Sequence, residues 1–361
     1  MKQKGKHPEY DSFDAVFSYS NLYGAYRRCR RNVAWKASTQ KYITQAPLNL
    51  YKTQDKLMSG RWRSQGFYEF DLCERGHQRH IKSVTFDERI VQRCLCDNAL
   101  VPVLTRGLIY DNGAMLKGKG YHFAINRITE HLHWYYRHYG TDGYILLFDF
   151  RKFFESIPHQ LCKQLVHKNF SDPRLVALIE HFIDNCGEVG LGLGSQISQT
   201  FALAAASPID HYCKETMRVH CYARYNDDGY LIDNDKSFLK LCLNGIRDLC
   251  TEMGLKLNEK KVRIVKLSHG FTFLKTHFFL TDTGKVIRKI DRTSVTRVRR
   301  KMKKFPDMIR EERFTFLDAY QSFQSWRSYA LYFNAYHTVT AVTKLYNDLF
   351  LKEVLLGLTA K

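Results

Sequence analysis

The feature that most constrains the fold of this chain is a short apolar run that ends at an acid. Residues 144–148 (YILLF) are continuously apolar, which is typical of a buried β-strand, and Asp149 follows them directly. Downstream, residues 226–229 (NDDG) separate two apolar segments and predict a β-hairpin with Asp227 and Asp228 at its tip. The sequence therefore predicts that three carboxylates lie at the edge of a sheet.

Helical periodicity surrounds these strands. It covers residues 153–168, 195–217 and 238–253, and Gly254 stands where a helix C-cap is expected. The order strand, helix, hairpin, helix differs from the strict alternation of a doubly wound fold. We therefore expect an α+β fold, with an antiparallel sheet plus helices.

Carboxylates gathered in this way would form a divalent-metal site. Adjacent like charges raise each other's pKa, and a bound dication removes that cost. Mg²⁺ prefers oxygen ligands and leaves positions open for water and phosphate. Two such ions about 3.5–4 Å apart would activate a 3′-hydroxyl and stabilise a leaving pyrophosphate. The alternative is that Asp-Asp-Gly serves only as turn chemistry.

The charge balance narrows the class of partner. The chain of 361 residues has 56 Lys and Arg against 36 Asp and Glu, a net charge of +20 at neutral pH. An excess of that size predicts a polyanionic partner, most simply nucleic acid. Residues 285–304 hold ten of the basic residues and one acid, which is also typical of a solvated helix face. The candidate nucleic-acid contacts in this segment are Arg288, Lys289, Arg299, Arg300 and Lys303.

Several classes of protein are excluded by the sequence. It holds no run of about 18 apolar residues, so we expect no membrane-spanning helix and no membrane partner. Its first residues lack the apolar segment of a secretory signal. Its ten cysteines lack the spacing of a zinc cluster, which favours reduced thiols in a cytosolic protein.

The carboxylate segments resemble those of reverse transcriptases. Residues 225–228 (YNDD) fit the YxDD box of that family, and residues 149–157 (DFRKFFESI) are similar to its first carboxylate box. Three further boxes match in the same order, namely residues 193–199 (LGSQISQ), 254–261 (GLKLNEKK) and 270–274 (GFTFL). The resemblance extends from about residue 60 to about residue 340.

This resemblance implies a right-hand polymerase. It divides the chain into a basic N-terminal extension (1–60), fingers (61–143), a palm with some fingers elements (144–280) and a short helical thumb (281–361). The implied activity is that of an RNA-directed DNA polymerase, which uses two Mg²⁺ ions, or Mn²⁺ in their place. The implied partners are template RNA, the cDNA and dNTPs.

The resemblance also assigns roles at the metal site. Asp149 and Asp227 are the expected bridging metal ligands, and Asp228 is the supporting carboxylate. The backbone of Phe150 would face the metal-bound triphosphate. Lys261 matches the lysine that protonates pyrophosphate, and a solvated or phosphate-binding lysine is an equal alternative.

Further roles implied by the resemblance concern the incoming nucleotide. Phe154 lies where the family places the ring that excludes a 2′-hydroxyl, with an ordinary core aromatic as the alternative. Arg79 and Arg75 are expected to hold the triphosphate, because guanidinium groups pair bidentately with phosphate oxygens. The alternative for both arginines is a template-backbone or surface role.

One departure from the general pattern indicates a subtype. Leu193 and Gln199 stand where general reverse transcriptases have Gln and Pro. The pattern resembles that of diversity-generating retroelement enzymes, which copy a template RNA with frequent errors at adenines. Gly194 would let the backbone approach the template and primer and, with Gln199, contact the nucleotide. Leu193, Ser198 and Gln199 would set how tightly the templating base is held. Asn226 also departs from the apolar residue usual in the YxDD box.

The same subtype implies a small basic helical-bundle accessory protein as a further partner, and the cytoplasm of a bacterial or phage-infected cell as the location. Two other functions stay open at this point. One is another bacterial reverse transcriptase, of the retron, group II-like or phage-defence type. The other is a catalytically silent RNA-binding scaffold.

Overall fold

The computed structural model describes the backbone of residues 9–74, 77–192 and 194–359 and, except at residues 74, 77, 79, 82 and 351–359, their side chains. The described chain forms two compact units. The first is built from the residues up to 124, residues 148–231 and residues 237–262. The second is built from residues 125–147, residues 232–236 and those from 263 onward.

The N-terminal part is mainly helical, with one hairpin. Its helices are α1 (Phe13–Val16), α2 (Tyr19–Cys29), α3 (Ala37–Ile43) and α4 (Ala46–Met58). Strands β1 (Tyr68–Glu74) and β2 (His77–Ser83) then pair in an antiparallel two-stranded sheet. After this hairpin come α5 (Phe86–Leu95), a π-helical turn (Cys96–Leu100), α6 (Val101–Leu104) and α7 (Tyr121–Tyr139).

The middle of the chain supplies the strands of the four-stranded sheet. The first segment contains β3 (Tyr144–Asp149), α8 (Phe153–Ser156), α9 (His159–Asn169) and α10 (Pro173–Asp184). The next contains α11 (Gln196–Ala205), α12 (Ser207–His211) and a π-helical turn (Tyr212–Thr216). It is followed by β4 (Cys221–Tyr225), β5 (Asp228–Asp233), α13 (Lys236–Glu252) and β6 (Arg263–Lys266).

The four-stranded sheet has the order β4-β5-β3-β6. Strand β3 is antiparallel to β6, with Tyr144 opposite Lys266 and Leu147 opposite Arg263. Residues 145–149 of β3 are all buried, so the predicted buried strand is confirmed, and β4 with β5 confirms the predicted hairpin. The predicted α+β class is therefore confirmed.

Two helices that the periodicity predicts as continuous are interrupted, and prolines explain why. Residues 153–168 divide into α8 and α9, because the residue before a proline is disfavoured in helical conformation and Ile157, before Pro158, is extended (ψ 119°). Residues 195–217 divide into α11, α12 and the π-helical turn, with Pro208 in the first turn of α12. The third predicted helix is confirmed as α13, and Gly254 follows it with a φ of +71°.

The C-terminal part of the second unit combines a small sheet with three helices. A 3₁₀ turn (Leu267–His269) leads to β7 (Phe271–Phe273), β8 (Thr276–Leu280) and β9 (Val286–Ile290), which pair antiparallel in that order. The helices are α14 (Arg292–Arg310), α15 (Phe316–Ala330) and α16 (Tyr336–Thr359). None of the helices in the described part of the chain has the length and apolar character that crossing a membrane requires.

Candidate active site

Asp149 ends β3 and is held by the segment that follows α13. Its side chain is only 5% exposed. Asn258 Nδ2 donates to Asp149 Oδ1 at 3.1 Å, and Lys261 Nζ donates to Asp149 Oδ2 at 2.7 Å. The backbone N of Asn258 also donates to the carbonyl oxygen of Asp149 at 2.7 Å. These bonds fix both the end of the strand and the orientation of the carboxylate.

The hairpin tip lies directly beside this strand end. The backbone N of Phe150 donates to the carbonyl oxygen of Asp227 at 3.1 Å. Asn226 has a left-handed φ of +55°, which Asn tolerates better than most residues. At Gly229, a Cβ would lie 2.2 Å from the Phe148 ring, so a side chain there would push the hairpin away from β3. The structure thus brings the three predicted carboxylates together.

Burial and the charges of neighbouring carboxylates raise the pKa values of Asp227 and Asp228. Burial, reinforced by the carboxylates of Asp227 and Asp149, raises the pKa of Asp228 to about 7. Burial also raises the pKa of Asp227, and the charge of Asp149 adds to that rise. The hydrogen bond to Asp149 raises the pKa of Lys261, so its ammonium stays charged beside the carboxylates. One ammonium offsets only part of the negative charge of three acids.

The donor set fits a hard divalent cation. Carboxylate oxygens are the ligands that Mg²⁺ prefers. The pKa of Asp228 is raised by burial and then by the neighbouring carboxylates, and a bound dication would offset both effects. Within the described residues, no three His, Cys, Asp or Glu side chains are already arranged around a single ion position. Asp149 binds Lys261 instead, so a cation bound to Asp149 would share it with the ammonium or displace it.

The segment after Asp149 packs against a glycine that the sequence analysis missed. The carbonyl oxygen of Phe154 accepts a hydrogen bond from the backbone N of Leu191 at 2.6 Å. At Gly190, whose φ is +86°, a Cβ would lie 2.4 Å from the Glu155 carbonyl oxygen. The glycine-rich stretch 187–194 (GEVGLGLG) is the sequence signal that could have identified Gly190. Phe154 itself is half-buried.

Helix α11 and the residue before its cap border a cavity of about 260 Å³. Gly194, with a φ of +99°, and Gln199 both line it. Arg93 and Met115, which the sequence analysis did not single out, line it as well. Ser198 is buried. The cavity therefore brings two of the predicted nucleotide contacts together with an arginine from α5.

Three predicted positions lie wholly or partly outside the described residues. Arg75 and Leu193 lie outside the described residues. Arg79 lies on β2, where its backbone is paired with Leu72 of β1, and its side chain lies outside the description.

The predicted basic contacts of the second unit divide between a strand and a helix. Arg288 and Lys289 lie on β9, and the Arg288 guanidinium lies 4.7 Å from the centroid of the Tyr332 ring. Arg299, Arg300 and Lys303 lie exposed on α14. Lys303 lies one helical turn after both Arg299 and Arg300, so the three lie on adjoining parts of the exposed side of the helix.

One face of α14 forms an open groove of about 590 Å³, which we call the α14 groove. Five cationic and two hydroxyl side chains line it: Arg292, Thr293, Thr296, Arg297, Arg300, Lys301 and Lys304. The opposite face buries Val298, Met302 and Phe305. A packed helix that presents a cationic side suits a phosphate backbone.

A comparison with protein families matches the central part of the chain. The model of a family described as reverse transcriptase (RNA-dependent DNA polymerase) matches residues 73–278, which include the three carboxylates and Lys261. No curated protein sequence matches the chain.

Solved structures that are similar to this chain include two telomerases. Apo telomerase from Candida tropicalis, truncated from the C-terminal domain, is 13% identical with a TM-score of 0.48, over 62% of this chain and 55% of that chain. Telomerase from Candida albicans in complex with a TWJ fragment of telomeric RNA is 10% identical with a TM-score of 0.49, over 86% of this chain and 65% of that chain. The present chain thus spans between 55% and 65% of the length of these two structures.

Proposed function

Because the chain belongs to the reverse transcriptase (RNA-dependent DNA polymerase) family, we propose that it extends a primer with deoxynucleotides on an RNA template by two-metal nucleotidyl transfer. The observation that carries this proposal is the hydrogen bond of 3.1 Å between Phe150 N and the carbonyl oxygen of Asp227. It joins two carboxylate segments that are distant in the sequence, next to a third carboxylate at Asp228.

Asp149 and Asp227 would hold the two ions, with Asp228 as the supporting carboxylate and the backbone of Phe150 beside the triphosphate. Bound Mg²⁺, or Mn²⁺ in its place, supplies a lowered pKa for the primer 3′-hydroxyl and charge stabilisation for the leaving pyrophosphate. The protein contributes preorganisation, because Asn258 fixes the Asp149 carboxylate before any substrate binds.

Lys261 is the proposed proton donor to the pyrophosphate. Its raised pKa keeps the ammonium protonated at neutral pH, and its side chain is 60% exposed although the amine reaches Asp149. An exposed side chain with one ion-pair partner has room to turn from Asp149 towards a leaving group. The carboxylate would hold the lysine near the reaction until the pyrophosphate forms.

The remaining substrate contacts follow the same proposal. Phe154, which is half-buried and follows Asp149 by five residues, is the proposed steric gate against a 2′-hydroxyl. Arg79 and Arg75 as triphosphate contacts rest on the family resemblance. The α14 groove, with Arg300 among the predicted contacts, is the proposed surface for the template RNA and cDNA backbone.

We further propose that the enzyme is the error-prone polymerase of a diversity-generating retroelement. Gln199 stands in place of the usual proline and lines a cavity of about 260 Å³, which supports the proposal of a loosely packed wall at the templating base. Packing contacts discriminate by only about 1–3 kcal/mol each, so a looser wall lowers fidelity. The small basic helical-bundle accessory protein and the cytoplasmic location belong to this proposal and rest on the resemblance.

Primer extension on an RNA template tests the polymerase proposal. The wild-type chain should extend the primer with Mg²⁺ and stop on addition of EDTA. Asp227→Ala should lower the rate by about 10²–10³-fold, the scale of losing an electrostatic group at a reaction centre. Asp248→Ala, at an exposed acid of α13, is the control and should extend normally. Equal extension by Asp227→Ala and the control would contradict the proposal.

Sequencing of the cDNA tests the subtype. Wild-type product should carry errors concentrated opposite template adenines, and Leu193→Gln with Gln199→Pro should lower their frequency. The proline also removes the hydrogen bond from Gln199 N to the Ser195 carbonyl oxygen, so extension rates must be compared on the same template. An unchanged adenine error frequency at a measurable rate would contradict the role of this pair.

A further inference from the structure

A fully buried ion pair lies next to the carboxylate hairpin in the sequence and in space. The side chains of Arg224 and Asp210 are both 0% exposed. Arg224 Nε donates to Asp210 Oδ1 and Nη2 donates to Asp210 Oδ2, each at 2.7 Å. Tyr222 Oη donates to the same Asp210 Oδ1 at 2.6 Å. Burying two charges is expensive, and this geometry repays part of that cost through a bidentate pair with a third hydrogen bond.

The same guanidinium also reaches two main-chain carbonyls. Nη1 donates to the carbonyl oxygen of Asn226 at 2.8 Å, and Nη2 donates to that of Leu203 at 3.3 Å. Asn226 is the left-handed residue of the turn that precedes Asp227, whereas Leu203 belongs to α11. One side chain therefore connects the metal-site turn to the helix that carries Gln199.

The main chain of Arg224 is held as firmly as its side chain. Its N donates to the Asp111 carbonyl oxygen at 3.2 Å, and its carbonyl oxygen accepts from Gly113 N at 2.9 Å. The guanidinium is thus attached to a fixed point, so it can impose a position on the turn.

We propose that Arg224 is a positioning residue that fixes the turn bearing Asp227 and Asp228 relative to α11, with Asp210 holding the guanidinium in place. A planar fork with five donors can serve a carboxylate and two carbonyls at once, which a lysine ammonium cannot do. The contacts stand without the polymerase function, and the consequence for catalysis rests on the proposed function.

The test variants must separate a positioning role of Arg224 from a role in stability alone. Replacing a buried ion pair as a unit is often neutral for stability, whereas removing one partner leaves an uncompensated charge. The double variant Arg224→Met with Asp210→Asn removes both charges, keeps an acceptor for Tyr222 and loses the bond to the Asn226 carbonyl. Tyr222→Phe is the matched control, because it removes one hydrogen bond to Asp210 and leaves the bonds of Arg224.

Hydrogen exchange in the full chain, without metal or substrate, is the first measurement. Amides of residues 225–229 should exchange at least about tenfold faster in the double variant than in Tyr222→Phe, while the amides of β3 keep their protection. If the double variant does not fold, Arg224→Lys, which keeps a positive charge for Asp210, is measured instead with the same expectation. Unchanged exchange at residues 225–229 in the folded variant would overturn the proposal, whether or not the chain polymerises.

Primer extension is the second measurement and separates the two proposals. The double variant should lose about 10–100-fold in kcat, the usual effect of removing support behind a metal ligand, with KM for dNTP little changed. Tyr222→Phe should stay within about twofold of wild type. Faster exchange with wild-type kcat would overturn the positioning role. An inactive wild type would contradict the proposed function alone, since the exchange result still decides whether Arg224 fixes the turn.

Discussion

At the scale of single residues, the raised pKa of Asp228 makes the stability of the metal-free protein depend on pH. That pKa is about 7 in the folded chain, against an ordinary value of about 3.9. The folded state therefore keeps a proton that the unfolded state releases. The contribution of Asp228 to the free energy of unfolding consequently falls as the pH rises from about 4 to about 7. Above that range the contribution stays constant.

The substitution Asp228→Asn should remove this loss, because an amide acquires no charge. In EDTA, the free energy of unfolding of the variant should exceed that of wild type, by a margin that grows by about 2.6 kcal/mol between pH 5 and pH 8. Urea titrations at both pH values measure the margin, with Asp248→Asn on exposed α13 as the control. A margin that does not grow with pH would show that the pKa of Asp228 is not raised in the folded chain.

Asn226 is a second residue whose role is local, since its φ of +55° is costly for most side chains. Asn226→Gly and Asn226→Val both remove the buried Oδ1, which has no hydrogen-bond partner among the described residues, so the loss of that atom cancels when the two variants are compared. The valine variant should be less stable than the glycine variant by about 1–2 kcal/mol in urea titrations. Equal stabilities would mean that the left-handed turn is not maintained. This conformation gives a physical reason for Asn where the family usually has an apolar residue.

At the scale of secondary-structure elements, α14 offers a test in which the same helix provides its own control. Arg297→Ala with Arg300→Ala removes two cations from the α14 groove, whereas Arg299→Ala with Lys303→Ala removes two exposed cations outside it. The substitution of Arg297 and Arg300 should weaken RNA binding more than the other double substitution does. It should also make the negative slope of log K against log salt shallower by about 1.5. Titrations of a labelled RNA at several salt concentrations measure both. Equal losses of RNA affinity in the two double variants would indicate that α14 attracts RNA only through its total charge.

The elements also show what the sequence could reveal. The apolar run 144–148 and the NDDG turn each carry a local signal, so β3 and the β4–β5 hairpin were predictable. Helical periodicity, in contrast, predicted continuous helices through Pro158 and Pro208, where the structure has two divided helices. The spacing of apolar residues indicates which side of a helix faces the core, but it does not indicate where the helix ends.

Long-range contacts around the site were beyond sequence reasoning. Asn258 and Lys261 bind Asp149 across more than a hundred residues, and neither contact has a local pattern. Nothing in the sequence singles out Arg224, although its guanidinium connects α11, α12 and the hairpin. Only the three-dimensional packing identifies a buried charge, because residue type alone favours the surface for arginine.

At the scale of the whole molecule, the net charge and the acidic site act together. A chain with a net charge of +20 attracts polyanions, but three carboxylates at one point would repel the phosphates of a primer end or a triphosphate. Divalent cations reverse the local sign, so metal binding and nucleic-acid binding should reinforce each other. Metal binding should therefore be tighter in the presence of primer and template.

Electron paramagnetic resonance of Mn²⁺ bound to the full chain measures the central claim directly. With primer, RNA template and a non-reactive dNTP analogue, the wild-type chain should bind two Mn²⁺ ions per molecule in a saturable way. The double variant Asp149→Asn with Asp227→Asn should bind neither ion at the same concentration, because it lacks both bridging carboxylates. If the double variant bound as many ions as wild type, or wild type bound none, the carboxylates would not form a two-metal centre.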